Sequence, residues 1–264
     1  MHKFQDTVVW ITGASSGIGE ALAYGFAKRG AKLVLSARRE QELVRVKAGC
    51  KDATAVELLT LDMARTDELP LKVEAAIQMM GTIDILVNCA GISQRSFAID
   101  TSMNVYRKIM EVNYFGTIQL SLAVLPHFTT KNKGQFIVIS SVTGKVGLPM
   151  RTAYSAAKHA LEGFFGALRT ETWKTNIKIL VVRPGAIRTN IADNALKGDG
   201  QLFNKKDPII EKGISPGECA DAILRAIDEN KNELEVGSAR EKFLFTLNRF
   251  LPRVTFNIVK KLGE

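Results

Sequence analysis

The chain has 264 residues, of which 46% are hydrophobic and 24% are charged. This length and composition are typical of a single globular domain and exclude a largely disordered, collagenous or repeat architecture. The formal net charge is +9, but the basic residues are scattered and no recognition motif accompanies them, so no nucleic-acid partner is expected. The absence of a long apolar run and of a secretory pattern predicts a cytoplasmic protein.

The three cysteines, Cys50, Cys89 and Cys219, are widely spaced. They form no CxxC pair and have few histidines to accompany them, so we expect reduced thiols and no bound metal.

Strand-like and helix-like segments alternate along the chain. Short β-rich runs predict strands at 7–12, 32–37, 55–59, 83–87, 135–139 and 177–182. Apolar residues at helical spacing predict helices at 17–29, from Glu40 onwards and at 66–80, with long helical stretches between the later strands. This alternation predicts one α/β domain, a doubly wound parallel sheet covered by helices on both faces. Ligands of such sheets bind beyond the carboxyl ends of the strands.

A glycine-rich turn, Thr12-Gly13-Ala14-Ser15-Ser16-Gly17-Ile18-Gly19, joins the first predicted strand to the first predicted helix. Backbone N–H groups and the helix N-terminus point towards such a turn and favour an anion such as pyrophosphate. Glycine permits the tight turn and the close approach of backbone to phosphate. The position of the turn predicts a dinucleotide site, with a plain structural turn as the alternative.

This turn and the motifs that follow it resemble those of the short-chain dehydrogenase/reductase family in order and spacing. The later motifs are Asn88-Cys89-Ala90-Gly91, Asn113, Ser141, Tyr154 with Lys158, and Pro184-Gly185. The resemblance covers about 7–189 and implies a single Rossmann-like domain that binds a nicotinamide cofactor. Cys89 departs from the family, which usually has a second Asn there, and we interpret it as a small buried thiol.

The resemblance implies that cofactor-binding residues are spread over the loops that follow the strands. Asn88 would brace the sheet near the ribose, Asp62 and Met63 would border the adenine, and Ile187 and Thr189 would contact the carboxamide. The full set is Gly13, Ser15, Ser16, Gly17, Ile18, Gly19, Asp62, Met63, Asn88, Ala90, Gly91, Tyr154, Lys158, Pro184, Gly185, Ile187 and Thr189.

The predicted reacting residues begin with Tyr154 and Lys158. Their spacing of four places both side chains on one helical face, where an ammonium group can stabilise a phenolate. In the family, the Tyr donates or accepts the proton and the Lys also binds the nicotinamide ribose. By the same resemblance, Ser141 orients the substrate oxygen, so that Ser141 and Tyr154 contact the substrate. Asn113 would hold a water that links Lys158 to solvent.

These residues predict an oxidoreductase that moves hydride between nicotinamide and a carbonyl or alcohol carbon. Each residue alone has an ordinary structural interpretation, and only their joint order favours the enzyme. The alternative is a nucleotide-binding pseudoenzyme that senses redox state or acts as a scaffold. The spacing of Tyr154 and Lys158 also differs from that of bacterial enoyl reductases, which favours carbonyl over double-bond reduction.

The end of the second predicted strand indicates the choice of cofactor. NAD-specific folds place a carboxylate there, whereas this stretch reads Ser36-Ala37-Arg38-Arg39 before Glu40. A guanidinium pairs with phosphate through two hydrogen bonds, so Arg38 and Arg39 favour NADP(H) over NAD(H). Ser16 does not supply the base that many NADP(H)-preferring relatives carry in the turn, and a solvated Arg pair at a helix start is the alternative.

The remaining third of the chain predicts two further segments. Apolar residues among glycines at 190–215 predict a mobile lid over a substrate that is an apolar or mixed small molecule, with Leu196, Leu202, Phe203 and Ile210 as apolar candidates.

The tail 239–264 carries an apolar helical stripe, Phe243, Leu244, Leu247 and Leu251, interrupted by Pro252. The stripe predicts docking on the protein's own core or on a partner subunit, or peripheral attachment to an anionic membrane. The family commonly pairs the helices that carry Asn113 and Tyr154, which implies a homo-oligomer, either a dimer or a tetramer.

Overall fold

Seven parallel strands form the centre of the computed structural model, which describes residues 4–263 without the side chains of Arg240, Phe245 and Leu262. Their order across the sheet is β3-β2-β1-β4-β5-β6-β7. The strands are β1 Val8–Thr12, β2 Lys32–Ser36, β3 Ala55–Leu58, β4 Ile85–Asn88, β5 Gly134–Ile139, β6 Ile177–Pro184 and β7 Glu233–Val236. The strand order reverses beside β1, so the carboxyl ends of β1 and β4 form the switch point at which ligands bind in this architecture.

Helices cover both faces of the sheet, as the alternation of segments predicts. They are α1 Gly17–Ala27, α2 Glu40–Gly49, α3 Leu69–Met80, α4 Met103–Met110, α5 Gly116–Lys131, α6 Thr152–Glu171, α7 Pro208–Glu211, α8 Pro216–Asp228, α9 Ala239–Phe250 and α10 Pro252–Val259. Successive side chains of β1 point to opposite faces, so Val9 and Ile11 lie in one apolar core and Val8 and Trp10 in the other. Burial on both faces explains why β1 reads as an unbroken apolar run.

The predicted doubly wound α/β fold is confirmed, and the differences lie at element ends. Helix 17–29 ends at Ala27, the helix predicted at 66–80 begins with a 3₁₀ turn at Thr66–Glu68, and β6 continues to Pro184. The sequence did not predict β7, an edge strand that pairs only with β6 and carries Glu233 and Glu235. Edge strands tolerate charge, so the apolar run that marks a buried strand is missing there.

The chain between α4 and α5 is π-helical at Glu111–Phe115, which widens one turn of an otherwise continuous helical stretch. Such single-turn irregularities are frequent at functional sites because they redirect one side chain without ending the helix. Asn113 lies at the centre of this π-helical segment and is fully buried.

The apolar stripe of the tail packs on the protein only in part. On α9, Leu244 and Leu247 are half-buried, whereas 62% of Phe243 and 53% of the following Leu251 are exposed. Pro252 begins α10, as the predicted interruption requires. Within residues 4–263 no helix is both long and apolar enough to cross a membrane.

Candidate active site

A cleft of ≈ 680 Å³ opens beyond the carboxyl ends of the strands, at the predicted edge of the sheet. Most of the predicted cofactor residues line it, and so do Ser141, Tyr154 and Lys158. Three predicted residues do not reach the cleft surface: Gly19, Asn88 and Asn113. Their contacts show that they support the cleft from behind.

The glycine turn between β1 and α1 forms one end of the cleft. Gly13 and Gly17 have positive φ angles of 68° and 60°, which favour glycine. A Cβ atom on Gly13 would lie 2.8 Å from the Cα of Ala90, so the turn packs directly against the segment that follows β4. Ser16 is the N-cap of α1, but its side chain makes no capping hydrogen bond. The N–H groups of the first helical turn are therefore available to an anion.

Polar contacts join the first and fourth strands below this turn. The Thr12 hydroxyl accepts hydrogen bonds from the Cys89 and Ala90 N–H groups at 3.1 and 3.2 Å. Asn88 donates to the Ser121 hydroxyl at 3.0 Å and so ties β4 to α5. Cys89, which the sequence analysis interpreted as a small buried thiol, is partly buried and lines the cleft. Burial of its thiol nevertheless raises the pKa of Cys89 to about 12, so the group is a neutral thiol.

Arg38 and Arg39 follow β2 at the other side of the glycine turn. Both are exposed and both line the cleft. Neither guanidinium forms an ion pair with any residue of the described part of the chain. Their charge is therefore free to meet an anion that enters the cleft beside the end of β2.

Tyr154 projects into the cleft from the first turn of α6 and is 9% exposed. Burial raises the pKa of Tyr154 to about 12, while a hydrogen bond with Ser141 and the positive charge of Arg95 oppose that increase. Ser141 is held at the end of β5, where its hydroxyl accepts from the Thr143 N–H at 3.2 Å. The phenol and the Ser141 hydroxyl both line the cleft, together with Ser140 and Lys158.

Lys158 lies one helical turn after Tyr154, with its Nζ 5.6 Å from the centre of the phenol ring. The Nζ donates to the Ile139 carbonyl at 2.8 Å, and burial lowers the pKa of Lys158 to about 8. In the free protein Lys158 therefore loses its proton before the phenol titrates. The cation that opposes the rise of the Tyr154 pKa is Arg95, which the sequence analysis did not identify.

Asn113 holds the backbone of Ile92, which lines the cleft. Its side-chain oxygen accepts from the Ile92 N–H and its amide donates to the Ile92 carbonyl, both at 2.8 Å. A Cβ on Gly91 would lie 3.2 Å from the Asn113 Oδ1 and 3.8 Å from the Lys158 Nζ. Asn113 and Lys158 therefore converge behind Gly91, and the Asn113 side chain has its polar atoms already paired with the backbone.

Part of the segment 190–215 lines the cleft. Leu196, Leu202 and Ile210 line the cleft, whereas Phe203, which the sequence also suggested, does not. Asp207 anchors the segment, since Arg95 forms an ion pair with it and Arg151 contacts it at 3.1 Å. Arg95 and Lys108, which lines the cleft from α4, carry no local sequence signal because each depends on how distant elements pack.

Comparison with known proteins gives a consistent result. The family model described as short chain dehydrogenase matches residues 7–200. A dehydrogenase/reductase SDR family protein 7-like from Anopheles gambiae is 41% identical, over 97% of this chain and 83% of the relative. The human dehydrogenase/reductase SDR family member 7 is 37% identical, over 99% of this chain and 79% of the relative.

Solved structures agree in fold. A short-chain dehydrogenase from Streptomyces avermitilis has a TM-score of 0.83 at 27% identity and covers 97% of both chains. An alcohol dehydrogenase from Thermococcus sibiricus, complexed with 5-hydroxy-NADP, has a TM-score of 0.76 at 25% identity, over 88% of this chain and 97% of that one. A Burkholderia phymatum enzyme in complex with NAD has a TM-score of 0.79 at 23% identity, over 89% of this chain and 90% of that one.

Proposed function

The chain belongs to the short-chain dehydrogenase/reductase family and is thus a nicotinamide-dependent oxidoreductase, and we propose that it interconverts a carbonyl and an alcohol with NADP(H). The observation that carries this proposal is that Tyr154 and Ser141 both line the cleft beside Lys158 and that the Ser141 hydroxyl opposes the rise of the Tyr154 pKa. A carbonyl oxygen needs a proton donor and a second polarising group, and this pair supplies both.

The cleft fits a dinucleotide along its length. The positive-φ glycines and the uncapped first turn of α1 accommodate a pyrophosphate, and Lys158 and Gly91 border the space towards Tyr154. When bound, the nicotinamide supplies or accepts the hydride.

The residues of the chain carry out the proton transfer and the orientation of the substrate. Ser141 donates to the substrate oxygen and holds it beside the phenol. Tyr154 then gives its proton to the developing alkoxide during reduction, or removes the alcohol proton during oxidation. In its protonated form Lys158 places a positive charge beside the phenol, and this charge stabilises the phenolate left behind by Tyr154. Asn113 keeps the Ile92 backbone and the wall beside Lys158 in place.

The residues that follow β2 support NADP(H) over NAD(H). Arg38 and Arg39 line the cleft after β2, where an acidic residue would repel a 2′-phosphate and none is present before Glu40. Solved structures of the same fold do not separate the two cofactors, since the Thermococcus sibiricus enzyme is complexed with 5-hydroxy-NADP and the Burkholderia phymatum enzyme with NAD.

The substrate class follows from the lid. Leu196, Leu202 and Ile210 give the substrate end of the cleft an apolar surface. We therefore assign an apolar or mixed small molecule that presents one carbonyl or hydroxyl group to Ser141 and Tyr154.

Replacement of the phenol oxygen tests the proposal. Tyr154→Phe should lower kcat by about 10²- to 10⁴-fold on a panel of ketones, aldehydes and alcohols, because general acid–base catalysis is worth about that much. Binding of NADPH, measured by its fluorescence, should stay near that of the wild type. Tyr106→Phe is a matched control, since the Tyr106 hydroxyl contacts Thr152 at 2.8 Å outside the cleft.

Two results would contradict the proposal in different ways. A Tyr154→Phe variant with a near-normal rate would remove Tyr154 from the mechanism. A wild-type protein that binds NADPH tightly and converts no member of the panel would favour the nucleotide-binding pseudoenzyme.

A further inference from the structure

The segment 184–189 leaves the sheet at the end of β6 and borders the cleft. Its first residue beyond the strand, Gly185, donates to the Val236 carbonyl at 2.7 Å, which is the last rung between β6 and β7. The next N–H group, that of Ala186, has no strand partner. An external acceptor therefore has to hold the point at which the segment turns towards Ile187 and Thr189.

Glu241, in the first turn of α9, supplies that acceptor. Its Oε1 accepts from the Ala186 N–H at 2.6 Å. Its Oε2 accepts from the N–H and the hydroxyl of Ser238, at 2.8 and 2.9 Å. Ser238 follows β7, so a single carboxylate joins the chain beyond β6 to the chain beyond β7. Hydrogen bonds to a carboxylate are stronger than those between neutral groups, which makes this junction firm.

Two glycines leave the room that the carboxylate occupies. A Cβ atom on Gly185 would collide with the carboxylate of Glu241, and a Cβ on Gly237 would lie 2.6 Å from its Oε2. The absence of a side chain at Gly185 therefore serves Glu241 as well as the cleft.

The other side of the segment is also held. The Ala186 carbonyl accepts from the Ile214 N–H at 3.2 Å, and the Arg188 N–H donates to the Ile214 carbonyl at 3.0 Å. Glu241 binds the N–H of Ala186 and Ile214 binds its carbonyl, and together they fix the backbone conformation of the chain that leads to Ile187 and Thr189. Loss of either hydrogen bond would free this backbone next to the cleft.

We propose that Glu241 is a positioning residue for the nicotinamide end of the cofactor, acting through the backbone of Ala186. This inference rests on the proposed function, because it needs a nicotinamide bound beside the segment 184–189. It gives the C-terminal helices a role in the site: the start of α9 holds the loop against which the cofactor binds.

The chain contains a matched control for Glu241. Glu218 forms the same capping box at the start of α8, accepting from the N–H and the hydroxyl of Ser215 at 2.7 Å each. Glu218 forms no hydrogen bond with the backbone of the segment 184–189 and only a through-space charge interaction with Arg188. A change at Glu218 therefore removes the capping interaction and that weak charge interaction, whereas the same change at Glu241 also removes the hydrogen bond with the Ala186 N–H.

Glutamine is the informative replacement at both positions. It keeps the size of the side chain and one acceptor oxygen, but it presents an NH₂ donor where the second oxygen was. At position 241 it cannot accept from both Ala186 and Ser238. Binding of NADPH and of adenosine 2′,5′-bisphosphate, which lacks the nicotinamide, should be measured by calorimetry for wild type, Glu241→Gln and Glu218→Gln.

We expect Glu241→Gln to raise the Kd for NADPH by about tenfold and to leave the Kd for adenosine 2′,5′-bisphosphate unchanged, since only the nicotinamide end meets the released segment. Glu218→Gln should change neither Kd. If Glu241→Gln does not fold, Glu241→Asp keeps the charge but shortens the reach, and it should show the same selective loss.

The inference is overturned if Glu241→Gln binds NADPH as the wild type does, or if it loses both ligands equally. A wild-type protein that binds neither ligand overturns the proposed function itself, which separates that failure from a failure of the role of Glu241.

Discussion

Tyr154 and Lys158, the proposed reacting residues, show how burial acts on an acidic and a basic group. Both are nearly inaccessible, so burial disfavours the charged form of each: it raises the pKa of the phenol to about 12 and lowers that of the amine to about 8. Between about pH 8 and 12 both side chains are therefore neutral in the free protein. The positive charge of Arg95 opposes the rise of the Tyr154 pKa, and the negative charge of Glu162 opposes the fall of the Lys158 pKa.

The burial of Lys158 makes stability depend on pH. Between pH 8 and 10.5 the unfolded chain holds a proton at Lys158 that the folded protein has lost, so the free energy of unfolding should rise with pH in that range. The rise attributable to Lys158 is at most about 3 kcal/mol. Above pH 10 Tyr154 acts in the opposite direction, because the folded protein keeps the phenol proton longer than the unfolded chain does.

Urea unfolding of wild type and Lys158→Met between pH 7.5 and 10 measures this effect. As the pH rises, the unfolding free energy of the wild type should increase relative to that of Lys158→Met. Parallel pH profiles for the two proteins would show that Lys158 is charged in the folded state throughout.

We propose that Arg38 decides the choice between NADP(H) and NAD(H). A guanidinium–phosphate pair contributes about 1.5–3 kcal/mol, so Arg38→Ala should raise the KM for NADPH by about ten- to a hundredfold and barely alter that for NADH. Arg38→Asp should go further and favour NADH. Steady-state kinetics with both cofactors are the measurement, and Arg39→Ala separates the two arginines. An equal effect of Arg38→Ala on both cofactors would make Arg38 an ordinary surface residue.

Among the helices, α5 and α6 present an outer face that suits association with a second copy. On α6 a stripe of exposed or half-exposed small residues, Ala156, Ala160, Gly163 and Ala167, lies beside the bulkier His159 and Phe164. Phe115, which directly precedes α5, and Leu122 on α5 are 46% and 44% exposed. Small residues allow helices to approach closely, and exposed apolar side chains gain by being covered.

A bulky charge on this face should therefore prevent association. Gly163, around which a Cβ would meet nothing within 4 Å, accepts a side chain without harm to the fold of one subunit. Light scattering should give a dimer or tetramer for the wild type and a monomer for Gly163→Arg. Leu71→Arg, a change at a residue that is 65% exposed on α3, is the control and should keep the wild-type mass. A monomeric wild type at assay concentrations would contradict the prediction.

For the molecule as a whole, charge and apolar exposure concentrate at the C-terminal helices. Phe243, Phe250 and Phe256 are 62%, 71% and 67% exposed, and Arg249 and Arg253 lie among them. Such a surface could bind either of the two partners that the sequence analysis left open, a second subunit or an anionic membrane. Co-sedimentation with anionic but not with neutral vesicles would indicate the membrane, and sedimentation with neither would indicate the second subunit.

The fold class and the position of the candidate site follow from local sequence patterns. Strand and helix periodicity, the glycine turn and the four-residue spacing of Tyr154 and Lys158 each involve residues close together in the chain, so the sequence alone determined the α/β class and the edge of the sheet that holds the cleft. Arg38 could be identified in the same way, because it directly follows a predicted strand.

Only the tertiary structure decided what depends on contacts between distant segments. Arg95 is placed near Tyr154, Asn113 pairs with the backbone of Ile92, and Glu241 reaches Ala186 across 55 positions of sequence. The edge strand β7, with two glutamates among its four residues, has no apolar run to announce it. No periodicity encodes these contacts, because each one arises when the packing of whole elements brings separate loops to one edge of the sheet.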